Sequence, residues 1–144
     1  MTASDHIDEL LARIRARDPG LCAFIEVDAQ RARDAAAESA RRIAAGAARP
    51  LEAMGVAIKA NIDVAGLETS AGMAARRGMI ASADADAVAR LRAAGAVILG
   101  TLNMQEAALG ADTDNPWFGR AFNPHGAGRT PGGSSGGSGA AGAA

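Results

Sequence analysis

Lysine is almost absent from this chain. Its basic residues number 15 Lys and Arg together, and Lys59 is the only lysine among them. Tyrosine is absent and aromatic residues make up 3% of the sequence, which excludes the stacking surfaces of proteins that bind single-stranded nucleic acid. The formal net charge of −1 provides no basic surface for nucleic acid or acidic lipid. We therefore predict no direct nucleic-acid partner.

The chain also has few cysteines and no long apolar runs. Cys22 is the only cysteine, which excludes an internal disulfide framework, fits a reducing compartment and favours packing as a small buried side chain. No run approaches the roughly 18 apolar residues of a membrane-spanning helix, and the N-terminus lacks a basic region followed by an apolar stretch. These absences predict a cytoplasmic protein without a membrane partner.

Lys59 lies in a short apolar run, from Gly55 to Ile62, whose first residues resemble a buried strand. Burying an ammonium group is unfavourable, so the pKa of a lysine in such a place tends to fall towards neutrality. Arginine cannot deprotonate in proteins and could not replace it as a base. Lys59 is therefore a candidate general base or nucleophile. The alternative is a lysine just past a strand end whose ammonium group reaches water.

The chain divides into a helical lead, residues 1–50, and the start of an α/β core, residues 51–144. In the lead, Ser4 or Asp5 can cap a helix that Asp18-Pro19-Gly20 ends. An extended piece, 24–27, precedes a helix capped by Asp28 that continues to about Ala45. The fold class predicted from this order of elements and those that follow is α/β.

The core begins with a βαβ unit. We predict a strand over 54–58, a loop over 61–82, a helix from a cap at Asp84 to Ala94, and an apolar strand over 96–99. A crossover helix between two apolar strands implies that the strands are parallel and buried. Asn103 and Glu106 have the spacing of a capping box and predict a short helix to Leu109. Residues 111–129 have turn signals and are predicted to form a loop.

The glycine and serine cluster at 132–139 permits several interpretations. Its composition is that of a flexible linker without chemistry. A phosphate-binding loop is excluded because no lysine follows Lys59. The G-x-S-x-G pattern of a nucleophile elbow is present at 132–136, but no histidine follows Ser134 and no good strand precedes it. A Ser/Lys system, in which neutral Lys59 takes a proton through a serine hydroxyl, uses both unusual features of the chain.

With these features together, the sequence resembles the N-terminal part of an amidase-signature enzyme. The matching segments follow one another in the order typical of that family: residues 55–62, 86–100, 101–106, 114–116 and 131–138. The resemblance implies an amidase-signature mixed sheet flanked by helices, here incomplete, in a single domain that includes all 144 residues. It implies that Lys59 and Ser134 are catalytic, with a cis peptide before Ser134, and that Gly133 and Ser135 line the same turn. It implies no metal and no cofactor.

The implied activity is hydrolysis of carbon–nitrogen amide bonds in a small-molecule substrate by a Ser-cisSer-Lys relay. The family's nucleophilic serine lies further downstream than Ala144, so we expect these 144 residues to hold the base and the relay serine but no nucleophile, and to be inactive alone. Family members usually have Asp after the catalytic lysine, where this chain has Ala60. The alternatives are a glutaminase-type A subunit of a tRNA-dependent amidotransferase with companion subunits, or a non-catalytic fragment; a homodimer is also compatible.

Overall fold

The computed structural model describes residues 1–126 and 128–144, and within them it has a mixed α/β architecture, as predicted. Its helices are α1 (Ala3–Leu21), α2 (Ala29–Ala44), α3 (Asp86–Ala93) and α4 (Gly136–Ala143). Its strands are β1 (Phe24–Val27), β2 (Gly55–Lys59), β3 (Val97–Leu102), β4 (Asp114–Asn115) and β5 (Gly119–Arg120). None of the helices in the described ranges has the length and apolar character needed to span a membrane.

The main sheet is built around β3. Its strand order is β1-β3-β2, with β2 parallel and β1 antiparallel to β3. The parallel β2–α3–β3 unit confirms the predicted βαβ arrangement. Every residue of β3 is buried, because helices cover both faces of the sheet and a strand lies along each of its edges. The lead also contributes to this sheet through β1.

Two apolar clusters hold the helices against the sheet. On one side α1 and α2 pack against β3, and this cluster contains Ile7, Leu11, Ala32, Ala36, Val97 and Leu99. On the other side α3 and the loop after β2 pack against β2 and β3, and this cluster contains Ile58, Val64, Leu67, Val88 and Ile98. Because Ile58 is in the second cluster, the C-terminal end of β2 is held firmly, and Lys59 is the next residue.

The first helix does not end where the sequence predicts. The predicted cap at Ser4 or Asp5 is wrong, because the helix begins with a capping box in which Thr2 is the cap and Asp5 its partner, and it continues through Pro19. A proline removes its own N–H group and crowds the carbonyl four residues before it, but it leaves the N–H groups that follow it intact. The next turn therefore still closes, with the Cys22 amide donating to the Asp18 carbonyl at 2.8 Å. Cys22 then ends the helix with a left-handed backbone, φ 51°.

Two other predicted caps are wrong, because both side chains bind other partners. Helix α3 begins at Asp86 without a side-chain cap, and the Asp84 carboxylate accepts instead from the Ala65 amide and from Arg92 Nε. The predicted capping box of Asn103 and Glu106 opens only a 3-10 turn, Glu106–Ala108. Asp28, in contrast, caps α2 as predicted, accepting from the Arg31 amide at 3.2 Å.

Candidate active site

Lys59 is the last residue of β2, at the carboxyl end of a strand in the molecule's main parallel pair. Its register partner is Leu102, the last residue of β3. The side chain is half-buried. Burial lowers the pKa of Lys59 below its ordinary value of 10.5. Within the described ranges no carboxylate forms an ion pair with it, so nothing of opposite charge offsets this effect.

The loop after Lys59 is held by its main chain. Ala60 is fully buried, its amide donates to the Leu102 carbonyl at 3.1 Å, and its carbonyl accepts from the Ala71 amide at 2.9 Å. An aspartate at this position would place a carboxylate in a buried space and would need partners there. With alanine at this position, where the family usually has aspartate, the loop is anchored by these main-chain hydrogen bonds.

The glycine and serine cluster is not a linker. After the turn at 132–135 it forms α4, whose buried residues are Gly136, Gly137 and Ala140. The small side chains allow main chains to approach closely: a Cβ on Gly137 would collide with backbone atoms of Asn103 and Ala23. The composition that resembles a flexible tail therefore serves close packing here.

The turn that carries Ser134 is held from several directions. The Ser134 carbonyl accepts from the Gln105 amide at 3.0 Å. The Thr113 hydroxyl donates to the Gly132 carbonyl at 3.0 Å and accepts from the Gly136 amide at 2.9 Å. The peptide between Gly133 and Ser134 is cis, and a Cβ on Gly133 would collide with the backbone of Asp112.

The side chain of Lys59 contacts Ser134 in this turn. Lys59 Nζ donates a hydrogen bond to Ser134 Oγ at 2.6 Å. If the amine loses its proton, the same pair can reverse the bond, with the hydroxyl donating to nitrogen. Ser135 is exposed and is the residue before α4, and Ser138 is exposed on α4 itself. In the described part of the chain no three His, Cys, Asp or Glu residues form a group that could hold a metal ion.

The site therefore contains a half-buried lysine that is hydrogen-bonded to a serine in a glycine-rich turn. Comparison with known proteins indicates the same family as the sequence motifs do. The model described as Amidase matches residues 5–144, almost the whole chain. The chain belongs to the amidase signature family. This membership confirms the family resemblance that the ordered segments indicated.

Curated relatives of the chain include amidotransferase and hydrolase components. The A subunit of glutamyl-tRNA(Gln) amidotransferase from Roseiflexus sp. (strain RS-1) is 44% identical over 141 residues, covering 98% of this chain and 29% of the relative. The AtzE component of 1-carboxybiuret hydrolase from Pseudomonas sp. (strain ADP) is 46% identical over 142 residues, covering 97% of this chain and 31% of the relative. The chain thus spans about three-tenths of the length of these proteins.

Solved structures of other proteins share this fold. A chain from a vestigial protein complex connected with the origins of an s-triazine catabolic enzyme superposes with a TM-score of 0.95 at 45% identity, covering 98% of this chain and 31% of that chain. Native peptide amidase from Stenotrophomonas maltophilia superposes with a TM-score of 0.87 at 37% identity, covering 98% and 30%. The predicted fold, part of the amidase-signature mixed sheet with flanking helices, is confirmed.

The structure brings Lys59, Gly133, Ser134 and Ser135 into one region. The catalytic roles of Lys59 and Ser134 and the lining role of Gly133 and Ser135 stay predictions. Sequence reasoning missed Thr113 and Gln105, which hold the turn. Thr113 lies in a segment that the sequence predicts as loop, and its partners are main-chain atoms that no motif identifies. The only available signal is its position immediately before the Asp114-Asn115-Pro116 segment of the family pattern.

Proposed function

We propose that this chain supplies the general base and the relay serine of an amidase that hydrolyses carbon–nitrogen bonds of small-molecule amides. The observation that carries the proposal is the 2.6 Å hydrogen bond between Lys59 Nζ and Ser134 Oγ. A lysine acts as a base only when neutral, and burial favours the neutral form of Lys59 by lowering its pKa. Family membership supports amide chemistry at this pair.

In the proposed mechanism protons move through Ser134. Neutral Lys59 accepts the Ser134 proton while Ser134 accepts the proton of a nucleophilic hydroxyl, which attacks the amide carbonyl. The relay then runs backwards, and the leaving amine or ammonia takes a proton from Ser134, which recovers one from Lys59. Water hydrolyses the acyl-enzyme by the same route. Backbone N–H groups stabilise the oxyanion. No step of this scheme uses a metal or a cofactor.

The nucleophile is proposed to be a serine that is not among these 144 residues. The Ser134 hydroxyl is hydrogen-bonded to Lys59, while Ser135 and Ser138 are exposed to solvent. We propose that residues 1–144 form the N-terminal part of a single amidase-signature domain, with a helical lead over 1–50 and the start of the core over 51–144. On this proposal the 144 residues alone hydrolyse no amide.

A second candidate function is that of the A subunit of a tRNA-dependent amidotransferase. The 44% identity to the Roseiflexus protein favours it. Such a protein would release ammonia from glutamine and pass it to companion subunits. The alanine at position 60, where the family usually has aspartate, is a mild argument against this function. Co-purification of companion subunits with the chain from its own cells would favour the amidotransferase, and purification as a homodimer would favour the hydrolase.

A fusion protein tests the hydrolase proposal. The 144 residues are joined to the C-terminal remainder of AtzE, which is 46% identical over the shared part. Ammonia release is measured from a panel of benzamide-like and short aliphatic amides and from glutamine. We expect activity that both Ser134→Ala and Lys59→Ala abolish, while Ser82→Ala, in an exposed loop, leaves it unchanged.

The separate 144-residue chain is measured beside the fusion protein. Turnover by this shorter chain that is lost on Ser134→Ala or Ser138→Ala would contradict the proposal, since it would make one of these serines the nucleophile. Activity of the fusion protein that survives Lys59→Ala would contradict the assignment of the base. Ammonia release from glutamine alone would favour the amidotransferase function.

A further inference from the structure

We propose that Thr113 is a positioning residue for Ser134. Its hydroxyl joins the residues before and after Ser134 in the turn at 132–135, here called the serine turn, and so sets the position of Ser134 Oγ relative to Lys59 Nζ. The relevance of this to catalysis rests on the proposed function, whereas the structural claim does not. Thr113 is 1% exposed, 21 positions before Ser134 in the chain, and it does not contact Lys59 in any hydrogen bond of the described residues.

A single oxygen atom bridges the turn. Thr113 Oγ1 donates to the Gly132 carbonyl, two residues before Ser134, at 3.0 Å, and accepts from the Gly136 amide, two residues after it, at 2.9 Å. A hydroxyl has one donor and two acceptor positions, so one threonine can make both bonds at once. One side chain therefore links the residues on the two sides of Ser134.

The turn needs such an external restraint because its own residues supply little. Gly132 has φ +87°, in the region that side chains disfavour, and glycine has no conformational preference that would hold it there. The first N–H groups of a helix lack intrahelical partners. Ser135, the residue before α4, makes no side-chain cap bond, and the Thr113 hydroxyl supplies a partner for the first of these groups, the Gly136 amide.

Thr113 is itself well fixed. Its carbonyl accepts from the Ala121 amide at 2.8 Å, on the far side of the β4–β5 hairpin. Two residues later the buried Asn115 side chain donates to the carbonyls of Gly72 and Met104, both at 2.8 Å. The hydroxyl therefore acts from a rigid segment, and its bonds transmit the position of that segment to the serine turn.

Two substitutions separate the hydroxyl from the shape of the side chain. Thr113→Val keeps the shape and removes the hydroxyl, whereas Thr113→Ser keeps the hydroxyl and removes the methyl group. Thr101→Val is the matched control, because Thr101 is also 1% exposed and its Oγ1 has no hydrogen-bond partner in the described part of the chain. A general effect of replacing a buried threonine would appear in this control as well.

Two readouts are taken on the 144-residue chain. The exchange rate of the Gly136 amide hydrogen reports its bond to Thr113 directly. Competitive acetylation over a range of pH gives the pKa of Lys59, and because Lys59 is the only lysine, every modified ε-amine is this one. Ser134 Oγ lies 2.6 Å from Lys59 Nζ, so a displaced turn would admit water to the amine and raise the pKa of Lys59.

We expect Thr113→Val to accelerate Gly136 exchange at least about tenfold and to move the pKa of Lys59 up towards 10.5, its ordinary value. Thr113→Ser should restore both readouts to nearly the wild-type values, and Thr101→Val should change neither. The proposal is overturned if Thr113→Val changes neither readout, or if the valine and serine variants behave alike. A wild-type chain with an unprotected Gly136 amide and an ordinary pKa at Lys59 also overturns it. If only the proposed function is wrong, the fusion protein is inactive while these readouts are as expected.

Discussion

Lys59 Nζ and Ser134 Oγ lie 2.6 Å apart although the residues are separated by 75 positions in the chain. The meeting depends on the parallel pairing of β2 with β3, which places Lys59 beside Leu102, and on the main-chain bond from Gln105 to Ser134 just beyond it. The lysine–serine pair is therefore a product of the tertiary fold.

The first prediction concerns charge and proton transfer at Lys59. In the fusion protein, Lys59→Arg should lower kcat about as much as Lys59→Ala does, by at least about 100-fold, because arginine keeps the charge but cannot act as a base. Ammonia release measures kcat, and Arg90→Ala on the exposed side of α3 serves as control. Retention of most of kcat by Lys59→Arg would show that the lysine only supplies positive charge.

The second prediction concerns the stability cost of that lysine. Burial lowers the pKa of Lys59 on folding, so the protonated form is less favourable in the folded chain than in the unfolded chain. This destabilisation is present at neutral pH and disappears as pH rises through the folded pKa to 10.5. Lys59→Met should therefore raise the free energy of unfolding at pH 7, with the gain fading above pH 10.5. Urea titrations over this pH range measure it, and an equal gain at every pH would contradict the linkage.

The third prediction concerns Glu52, whose pKa is lowered from 4.5 to about 2, chiefly by hydrogen bonds from Arg49. Ser39 Oγ also donates to it, at 2.6 Å. A lowered carboxyl pKa stabilises the fold above pH 4.5, and this contribution is lost as pH falls from 4.5 to about 2. Glu52→Gln should lower the free energy of unfolding at pH 7 and flatten its acid dependence.

The control for Glu52 is Glu9→Gln, which alters an exposed ion pair with Arg13. Exposed pairs contribute little, so this variant should unfold like the wild type at every pH. Acid titrations followed by circular dichroism compare the three proteins. If Glu52→Gln and the wild type lose stability in parallel below pH 4.5, another carboxylate is responsible for the acid dependence.

The fourth prediction concerns Asn103, which is fully buried. Its amide nitrogen donates to the carbonyls of Cys22 and Gly119, and its side-chain oxygen accepts from the Met104 amide. Asn103→Leu leaves these main-chain groups unpaired, and each unpaired buried group costs about 1–3 kcal/mol. The free energy of unfolding should fall by at least about 2 kcal/mol. Asn61→Leu, at an exposed position, should change it little; similar effects of the two substitutions would refute the role of Asn103.

The fifth prediction compares two glycines of α4. Gly137→Ala should destabilise the chain by about 1–3 kcal/mol, because its Cβ would collide with the backbone of Asn103. Gly142→Ala should stabilise it by up to about 1 kcal/mol, because nothing lies within 4 Å of its Cβ and alanine is the better helix former. Thermal unfolding of both variants gives the comparison. Equal effects would mean that helix propensity, and not close backbone packing, decides at both positions.

Much of the fold could be predicted from periodicity, since the apolar strands β2 and β3 and the crossover helix α3 each bury a recognisable pattern. Local rules failed where a polar side chain had a choice of partners. Asp84 and Asn103 have the spacing of helix caps but bind distant main-chain groups. The antiparallel partner of β3, which is β1, depends on a close approach of Gly100 to Glu26 that no local pattern indicates.

The candidate site could be predicted only in part. Lys59 is conspicuous as the only lysine, and the assignment of Ser134 comes from the family resemblance, because the composition of the turn by itself indicates a linker. Thr113 escaped prediction because both of its hydrogen bonds go to main-chain atoms. Such partners are set by the packing of segments that are distant in the chain, and a sequence motif carries no information about that packing.

Gly133 and Gly137 bring the main chain around Ser134 into direct contact with the main chains of Asp112, just before β4, and Asn103, just after β3. The position of the Lys59–Ser134 pair therefore depends on the absence of side chains at these glycines as well as on the Thr113 hydroxyl. On the proposed function, substitutions at exposed neighbouring positions change the surface around the Lys59–Ser134 pair without moving the pair, whereas almost any side chain gained at Gly133 or Gly137 displaces the turn. An engineered change of substrate range should accordingly keep these glycines constant and vary the exposed residues around them.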